Sequence, residues 1–264
     1  MELIALATEC SVRAFGAARA SLDGIAALRK APGPPLREPL PASLLKHADE
    51  QSVVGLAAVA HAIHDCGLRE RTFADWGVLG APRFPGRLCV REQFLRFRQE
   101  GALGVSPHII PHRSTHSLSG TLSLALQMRG TNFGVGGGEG ALVEGLLAGL
   151  AVITEGRLPG LWLVLTEWDP EPVPGRPRSA TGAVCHAVAL ALAATLPDDP
   201  GPRLRLVPAG TGGAALPAVS SLADFLMTGR GPARPRSWTC PLEWGAVLEL
   251  TPAQPAGIAM EAKP

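Results

Sequence analysis

Hydrophobic and polar positions alternate along this chain in patterns that separate helices from strands. Apolar residues recur at helical spacing through Val53, Leu56 and Ala60, and the pattern predicts a helix that begins at Asp49 and ends near Gly67. The run Ala141–Ile153 is apolar on most faces and predicts a buried helix. Helical periodicity also predicts helices at Cys89–Phe97, Ser114–Met128 and Ala218–Met227.

Short apolar runs bounded by glycine or proline predict strands. They lie at residues 2–7, Trp76–Gly80, Asn132–Val135, Leu161–Thr166 and Ala246–Leu250. The run Ala183–Ala193 fits a strand or a helix, and we favour a strand. Segments Ala31–Pro41 and Gly229–Arg236 predict loops. Strands that alternate with helices predict a layered α/β fold with a mixed, mostly parallel central sheet.

Composition narrows the class of protein. A chain of 264 residues with 46% hydrophobic content favours a single domain over residues 1–264. The formal net charge of +1 predicts neither a nucleic acid nor an anionic membrane surface as partner. Five scattered cysteines without a C-x-x-C pair favour a reducing cytoplasm. An acidic start argues against a secretory signal, and no apolar run is long enough to predict a membrane span.

Residues 101–153 carry the most specific pattern in the sequence. A Ser-Pro turn at Ser106 precedes the helix His116-Ser-Leu-Ser-Gly-Thr-Leu-Ser, and then come a turn at Gly130, a short strand and the cluster Gly-Val-Gly-Gly-Gly-Glu-Gly. This order and spacing resembles the β-ketoacyl synthases of the thiolase superfamily. The resemblance covers roughly residues 1–195 and is strongest at 101–153. It implies a thiolase-like half fold.

The C-terminal part, residues 196–264, departs from the family's second half and forms a divergent short extension. In this respect the chain resembles stand-alone N-terminal-domain relatives, among them the small chain-length-factor-like subunits of aryl polyene clusters. The two histidines that drive decarboxylation in the family belong to that second half. The resemblance therefore predicts that they are missing here.

The glycine cluster is similar to the family's nucleophile elbow. Its residues are Gly136, Gly137, Gly138, Glu139 and Gly140, and the count along the strand puts Glu139 where the family has its cysteine. A thiolate at a helix N-terminus is the family's nucleophile, because the unpaired N–H groups there lower the thiol pKa. A carboxylate cannot hold an acyl chain as a thioester. We therefore expect no catalytic residue, no cofactor and no metal.

The resemblance also implies a partner. In the family the strand before the elbow pairs across a dimer interface, and here that strand contains Thr131, Asn132, Phe133, Gly134 and Val135. We expect a non-catalytic, chain-length-factor-like subunit of an active ketosynthase, as a heterodimer, in fatty-acid or polyketide synthesis of the aryl-polyene type. A homodimer, which could scaffold a carrier protein, stays open. The rival is a residual malonyl-carrier-protein decarboxylase or acyl-binding enzyme that uses Glu139.

Other interpretations of single features are weaker. The glycine cluster lacks the Lys-Ser/Thr pair of a phosphate loop, and Glu139 would repel phosphate. His108, His112 and His116 recur every four residues, but nearby prolines disrupt a helix there, so we predict loop and cap histidines rather than a metal site.

Two groups of arginines could serve the expected function. Arg113 and Arg129 are candidates to pair with Glu139. The run Arg91, Arg96 and Arg98 is either a solvated helix face or a contact for an acidic acyl carrier protein.

Overall fold

The computed structural model describes residues 8–41, 43–174, 176, 181–196, 199, 201–209, 216–228 and 237–252. The predicted strand at residues 2–7 and the predicted loop Gly229–Arg236 lie outside these residues. The predicted loop Ala31–Pro41 lies within them and forms neither helix nor strand.

Eight strands form one sheet in the described part of the chain. They are β1 (Thr8–Ser21), β2 (Gly77–Pro82), β3 (Asn132–Gly134), β4 (Leu161–Asp169), β5 (Val184–Ala193), β6 (Arg203–Pro208), β7 (Trp238–Leu242) and β8 (Ala246–Thr251). Their order across the sheet is β3-β2-β4-β5-β1-β6-β8-β7. Strand β2 runs parallel to β3 and β4, and the other neighbouring pairs are antiparallel.

The sheet is therefore mixed, as predicted, but the expectation that it is mostly parallel is wrong. Two of the antiparallel pairs, β4–β5 and β7–β8, join consecutive strands with no helix between them in the described residues, whereas a parallel pair needs a longer crossover connection. The sequence pattern predicted β2, β3, β4, β5 and β8 at nearly their observed positions. Strands β1, β6 and β7 were not predicted.

Seven α-helices and one 3-10 helix form in the described residues. They are α1 (Leu22–Leu28), α2 (Glu50–Asp65), α3 (Val90–Glu100), the 3-10 helix Gly101–Gly104, α4 (Ile109–Arg113), α5 (His116–Ala125), α6 (Ala141–Thr154) and α7 (Val219–Thr228). Helices α2, α3, α6 and α7 match the predicted ones, and α5 is shorter than predicted at both ends. Within the described ranges no helix is both long and apolar enough to cross a membrane.

The core consists of two apolar clusters on opposite faces of the sheet. Strand β4 shows the division: Trp162 and Val164 pack in the cluster under α2 and α5, whereas Leu161, Leu163 and Leu165 pack in the cluster under α6 and α7. This alternation follows from the two-residue period of a strand. Helices on both faces of a central sheet make a layered α/β architecture, as the sequence predicts.

Helix α2 is the central helix of the first layer. Asp49 caps it, because its carboxylate accepts the backbone N–H of Gln51 at 2.9 Å. Strand β1 packs closely against it at Gly16, where an added Cβ would lie 2.5 Å from the Ala62 nitrogen. Only glycine allows this approach of strand and helix.

Candidate functional site

The glycine cluster forms a turn between strand β3 and helix α6. Val135 donates its backbone N–H to the Gly80 carbonyl at 2.9 Å, and Gly137 donates to the Pro82 carbonyl at 3.0 Å, so the turn lies against the end of β2. Gly140 is the N-cap residue of α6. Glu139 directly precedes this cap, and its side chain is exposed.

Some glycines of the turn are required by its geometry. Gly136 and Gly137 have φ angles of +80° and +88°, in the left-handed region that favours glycine. A Cβ on Gly134 would overlap the Thr115 carbonyl oxygen, which belongs to the residue before α5. A Cβ on Gly138, by contrast, would meet no atom within 4 Å. The turn is thus a tightly packed strand–helix connection that leaves Glu139 at its outer side.

Glu139 borders a cleft of about 270 Å³ at the carboxyl ends of β2 and β4. The residues that line it are Arg83, Glu139, Leu142, Thr166, Glu167, Leu216, Pro217, Ala218 and Val219. The first turns of α6 and α7 both border the cleft, through Leu142 and Val219. Ligands of open α/β sheets bind beyond the carboxyl ends of the strands, so this cleft is the candidate functional site.

Glu167 is the buried carboxylate of the cleft. Its Oε1 atom accepts the backbone N–H of Ser220 in α7 at 3.2 Å, and its Oε2 atom lies 3.7 Å from Nη1 of Arg83. Burial raises the pKa of Glu167, although the N–H groups of Ser220 and Val219, then Arg83 and His186, act in the opposite direction. The carboxylate therefore joins the start of α7 to strand β4.

A buried hydrogen-bond chain holds the floor of the cleft. The Thr166 hydroxyl donates to the side-chain carbonyl of Gln51 at 2.8 Å, and the Gln51 amide donates to the Arg83 carbonyl at 2.8 Å. Gln51 belongs to the first turn of α2, so this helix fixes the ends of β2 and β4 relative to each other. Chains of satisfied buried hydrogen bonds make such a site rigid.

Sequence reasoning missed Arg83, Thr166 and Glu167. Arg83 directly follows the buried strand β2, and Thr166 and Glu167 lie near the end of the buried strand β4. Polar residues at the carboxyl end of an apolar strand were the signal that could have identified all three. What the sequence does not reveal is that β2 and β4 are neighbours, with Pro82 opposite Thr166.

The lining of the cleft contains neither a thiol nor an imidazole among the described residues. Cys10, Cys185 and Cys240 are buried elsewhere, whereas Cys66 and Cys89 are half-buried. Burial raises the pKa of Cys10 to about 12 and also raises the pKa of Cys89 and of Cys185. Such thiols are poor nucleophiles near neutral pH, because the thiolate is the reactive form.

Arg113 does not pair with Glu139, contrary to the sequence-based expectation. Its Nη1 atom lies 3.1 Å from Asp49 Oδ2 and 2.6 Å from Glu50 Oε2. The two carboxylates lie at the start of α2. They neutralise the charge of the half-buried Arg113, which therefore does not pair with Glu139. Arg129 is exposed and forms no ion pair within the described residues, so it does not pair with Glu139 either.

Two of the three spaced histidines come together, and the third lies apart from them. His108 is the N-cap residue of α4, and its ring lies parallel to that of His47, with the ring centroids 5.2 Å apart. His112 packs near both rings, whereas His116 starts α5 and contacts Ser119. A search of the described residues finds no group of side chains placed to hold a metal ion.

Strand β3 is an edge of the sheet. Val78 donates its N–H to Thr131, and Val135 donates to Gly80, so residues 131, 133 and 135 direct their backbone groups towards β2. In a parallel pair the alternate residues direct theirs the other way. The backbone groups of Asn132 and Gly134 therefore face outward from the sheet edge.

We compared the sequence and the fold with those of known proteins. No family model and no curated protein matches the sequence. Among solved structures, a chain of the ishigamide ketosynthase/chain length factor aligns over 94% of this chain and 100% of its own length, with a TM-score of 0.56 and 14% identity. The chain has a ketosynthase-like fold.

Two further solved structures give matches with lower TM-scores. One is a type II PKS acyl-carrier protein in complex with its ketosynthase bound to the hexaketide, with 16% identity, a TM-score of 0.47 and 72% of this chain covered. The other is a β-ketoacyl synthase from Burkholderia phymatum STM815, with 14% identity, a TM-score of 0.49 and 71% covered. This chain spans 63% and 59% of those two chains.

Within the ketosynthase-like fold, the thiolase-like architecture expected from the sequence is confirmed. The predicted strand, glycine turn and helix follow one another in the expected order. The role of Glu139 as the residue at the nucleophile position stays a prediction, as does the single domain over residues 1–264.

Proposed function

We propose that this chain is a non-catalytic ketosynthase homologue that acts as a chain-length-factor-like partner of an active ketosynthase. The pathway would be fatty-acid or polyketide synthesis of the aryl-polyene type, in the cytoplasm. Residues 1–264 would form one domain, with 196–264 as a divergent extension. The ketosynthase-like fold supports the class of protein, and the contents of the cleft support the loss of chemistry.

The observation that carries this proposal is the residue at the start of α6. Glu139 stands before the N-cap residue Gly140, where the positive end of the helix dipole favours a negative charge. A cysteine there would be activated as a nucleophile, whereas a carboxylate forms no thioester. No thiol lines the cleft within the described residues. On this proposal, condensation needs a second protein that supplies the cysteine.

The position of strand β3 at the edge of the sheet supports a specific interface for the partner synthase. The backbone groups of Asn132 and Gly134 face away from β2 and pair with no strand in the described residues, and such a strand edge is a template for pairing with another chain. The strand contains only three residues, so it pairs weakly by itself and needs further contacts. We place the synthase interface at residues 131–135, directly before the elbow.

The surface of helix α3 supports an acyl carrier protein as a second partner. None of its residues is fully buried, and Phe94 and Phe97 are 65% and 54% exposed. Arg91 and Arg98 lie on the same helix face as these rings, whereas Arg96 pairs with Glu92 at 2.6 Å. A face of this composition suits a protein that is acidic and partly apolar.

Complex formation tests the partner proposal. We expect co-expression with an active ketosynthase from the same organism to give a one-to-one complex in size-exclusion chromatography with light scattering. Asn132→Pro removes an outward N–H and is expected to abolish the complex, whereas Asn132→Ala keeps this group and the complex. A chain that only self-associates, or a complex that Asn132→Pro leaves intact, would contradict the proposal.

The enzymatic rival is tested by decarboxylation. We expect this chain alone to release no carbon dioxide from malonyl-carrier protein, because its cleft presents no imidazole among the described residues. Turnover that Glu139→Ala abolishes would favour the residual decarboxylase. Turnover that Glu139→Ala leaves unchanged would point to a contaminating synthase.

A further inference from the structure

A second cavity, of about 220 Å³, lies at the other end of the sheet from Glu139. Phe73 and Ala74 line it shortly before β2 begins, whereas Arg83 of the cleft follows the end of β2. Strand β2 has six residues. At about 3.3 Å per residue, that strand separates the two sites by about 20 Å. We call this second site the arginine cavity; it shares no residue with the cleft.

The arginine cavity carries a surplus of positive charge. Its lining includes Arg37, Arg69, Arg71 and Arg129, and the only lining carboxylate among the described residues is Glu38. Glu38 lies 3.8 Å from Arg37, and the other three guanidinium groups form no ion pair within the described part of the chain. Three positive charges are therefore left without a carboxylate.

Helix ends do not account for this surplus. Helices α2 and α5 both end beside the cavity, where Ile63 and Ala125 line it. The C-terminus of a helix carries about half a negative charge, so two such ends supply about one negative charge in total. This partial negative charge is smaller than that of the three guanidinium groups, so the helix ends offset only part of the surplus.

One arginine is held in place. The guanidinium carbon of Arg71 lies 4.8 Å from the ring centroid of Trp76 and 6.0 Å from that of Phe73. Both rings are buried, so they do not move with the exposed arginine. Stacking on aromatic rings leaves the N–H donors in the plane of the guanidinium free for an anion.

Most of the remaining lining residues are apolar. Ile63, Phe73 and Ala125 are buried core residues, and Leu36 and Leu126 are half-buried. Next to them the lining residue Gln127 has a φ of +53°, which is uncommon for a residue other than glycine. The cavity thus combines an apolar floor with cationic groups at its edge.

We propose that the arginine cavity binds a small organic anion, in which a carboxylate or phosphate monoester is carried on a compact apolar group. Guanidinium groups bind both kinds of anion through paired N–H donors. The volume is below the roughly 300–1,000 Å³ typical of pockets for drug-sized ligands, so the apolar part is limited to about one ring or a short chain. This site does not depend on the proposed partner function.

Calorimetric titration with simple probes tests the proposal. The probes are benzoate, phenyl phosphate and neutral benzamide, at constant ionic strength. We expect at least one of the anions to bind saturably at about 1 mM or below, and benzamide at least tenfold more weakly. The tighter anion identifies the head group that the site prefers, and competition between the two shows that they share one site.

Paired variants locate the binding site. Arg71→Gln with Arg129→Gln is expected to weaken binding of the anion at least tenfold. Arg19→Gln with Arg157→Gln removes the same charge from exposed positions outside both cavities and is expected to leave binding unchanged. Circular dichroism checks that each variant is folded, and the ketosynthase complex should form with both.

Two results would overturn the proposal. The first is that neither anion binds saturably to the wild-type protein at about 1 mM. The second is that a folded Arg71→Gln, Arg129→Gln variant binds the anions as tightly as the wild type does. Loss of the ketosynthase complex with retained anion binding would contradict only the partner function.

Discussion

The guanidinium group of Arg113 lies 3.1 Å from Oδ2 of the buried Asp49 carboxylate. The same carboxylate oxygen accepts the backbone N–H of Gly86, and its other oxygen caps α2. Arg113 also reaches Glu50, which is bound in turn by Arg29. This network joins α4, α2 and the segment after β2.

Removal of Arg113 should destabilise the fold. Arg113→Gln leaves two carboxylates in a mostly buried site without their shared cation, and the loss of one partner of a buried pair costs about 3 kcal/mol in free energy of unfolding. Urea denaturation measures this loss. The control Arg91→Gln changes an exposed side chain and should alter stability by less than about 0.5 kcal/mol. Equal effects of the two variants would show that the network adds no stability.

Asp49 should make stability depend on pH. Burial, and next the charge of Glu50, raise the pKa of Asp49 from 3.8 to about 6, against the opposing effect of Arg113. Between these pH values the unfolded state loses this proton and the folded state keeps it. The contribution of Asp49 to the free energy of unfolding therefore falls as pH rises from about 4 to about 6.

The comparison of wild type with Asp49→Asn isolates this contribution. The difference in free energy of unfolding between the two should decrease across that pH range and then level off. A difference that grows with pH would mean that Arg113 lowers the pKa of Asp49 below its ordinary value.

Two glycines of the elbow region should differ in their tolerance of alanine. Gly134→Ala places a Cβ against the Thr115 carbonyl, and overpacking of this kind costs about 2 kcal/mol. Gly138→Ala meets open space and should change stability by less than about 0.5 kcal/mol. Thermal denaturation of both variants measures the contrast. If the two variants melt together, the strand is not packed against the start of α5 as described.

A thiol placed at the elbow should be reactive. Glu139→Cys puts an exposed cysteine before the N-cap of α6, where the helix dipole lowers the thiol pKa. We expect iodoacetamide to modify it well before the buried Cys10, Cys185 and Cys240, as followed by mass spectrometry of peptides. Protection of the new thiol to the level of Cys185 would show that the elbow is buried.

The sequence predicts those helices and strands whose burial can be inferred from their own hydrophobic pattern. Helix α6 and strand β4 are almost wholly apolar, and such runs fold as buried elements wherever they lie. Strand β1 was missed because it is rich in small residues, which the close approach of Gly16 to α2 requires and which have low strand propensity.

The position of the glycine cluster was visible in the sequence for a similar reason, whereas its role stays a prediction. The elbow is a local sequence feature, so its glycines and Glu139 could be located by position alone. Arg83 and Thr166 meet only because β2 and β4 are neighbours, and Arg113 meets Asp49 across 64 positions of the chain. Pairings between distant segments depend on sheet order, which a single sequence does not display.

Reconstituted condensation tests the central claim most directly. An active ketosynthase, its carrier protein and malonyl and acyl donors are assayed for product with this chain, without it, and with its Glu139→Ala variant. The account predicts product that requires this chain, persists in the Glu139→Ala variant and disappears when the cysteine of the partner ketosynthase is replaced. Product that survives loss of that cysteine but not loss of Glu139 would contradict it.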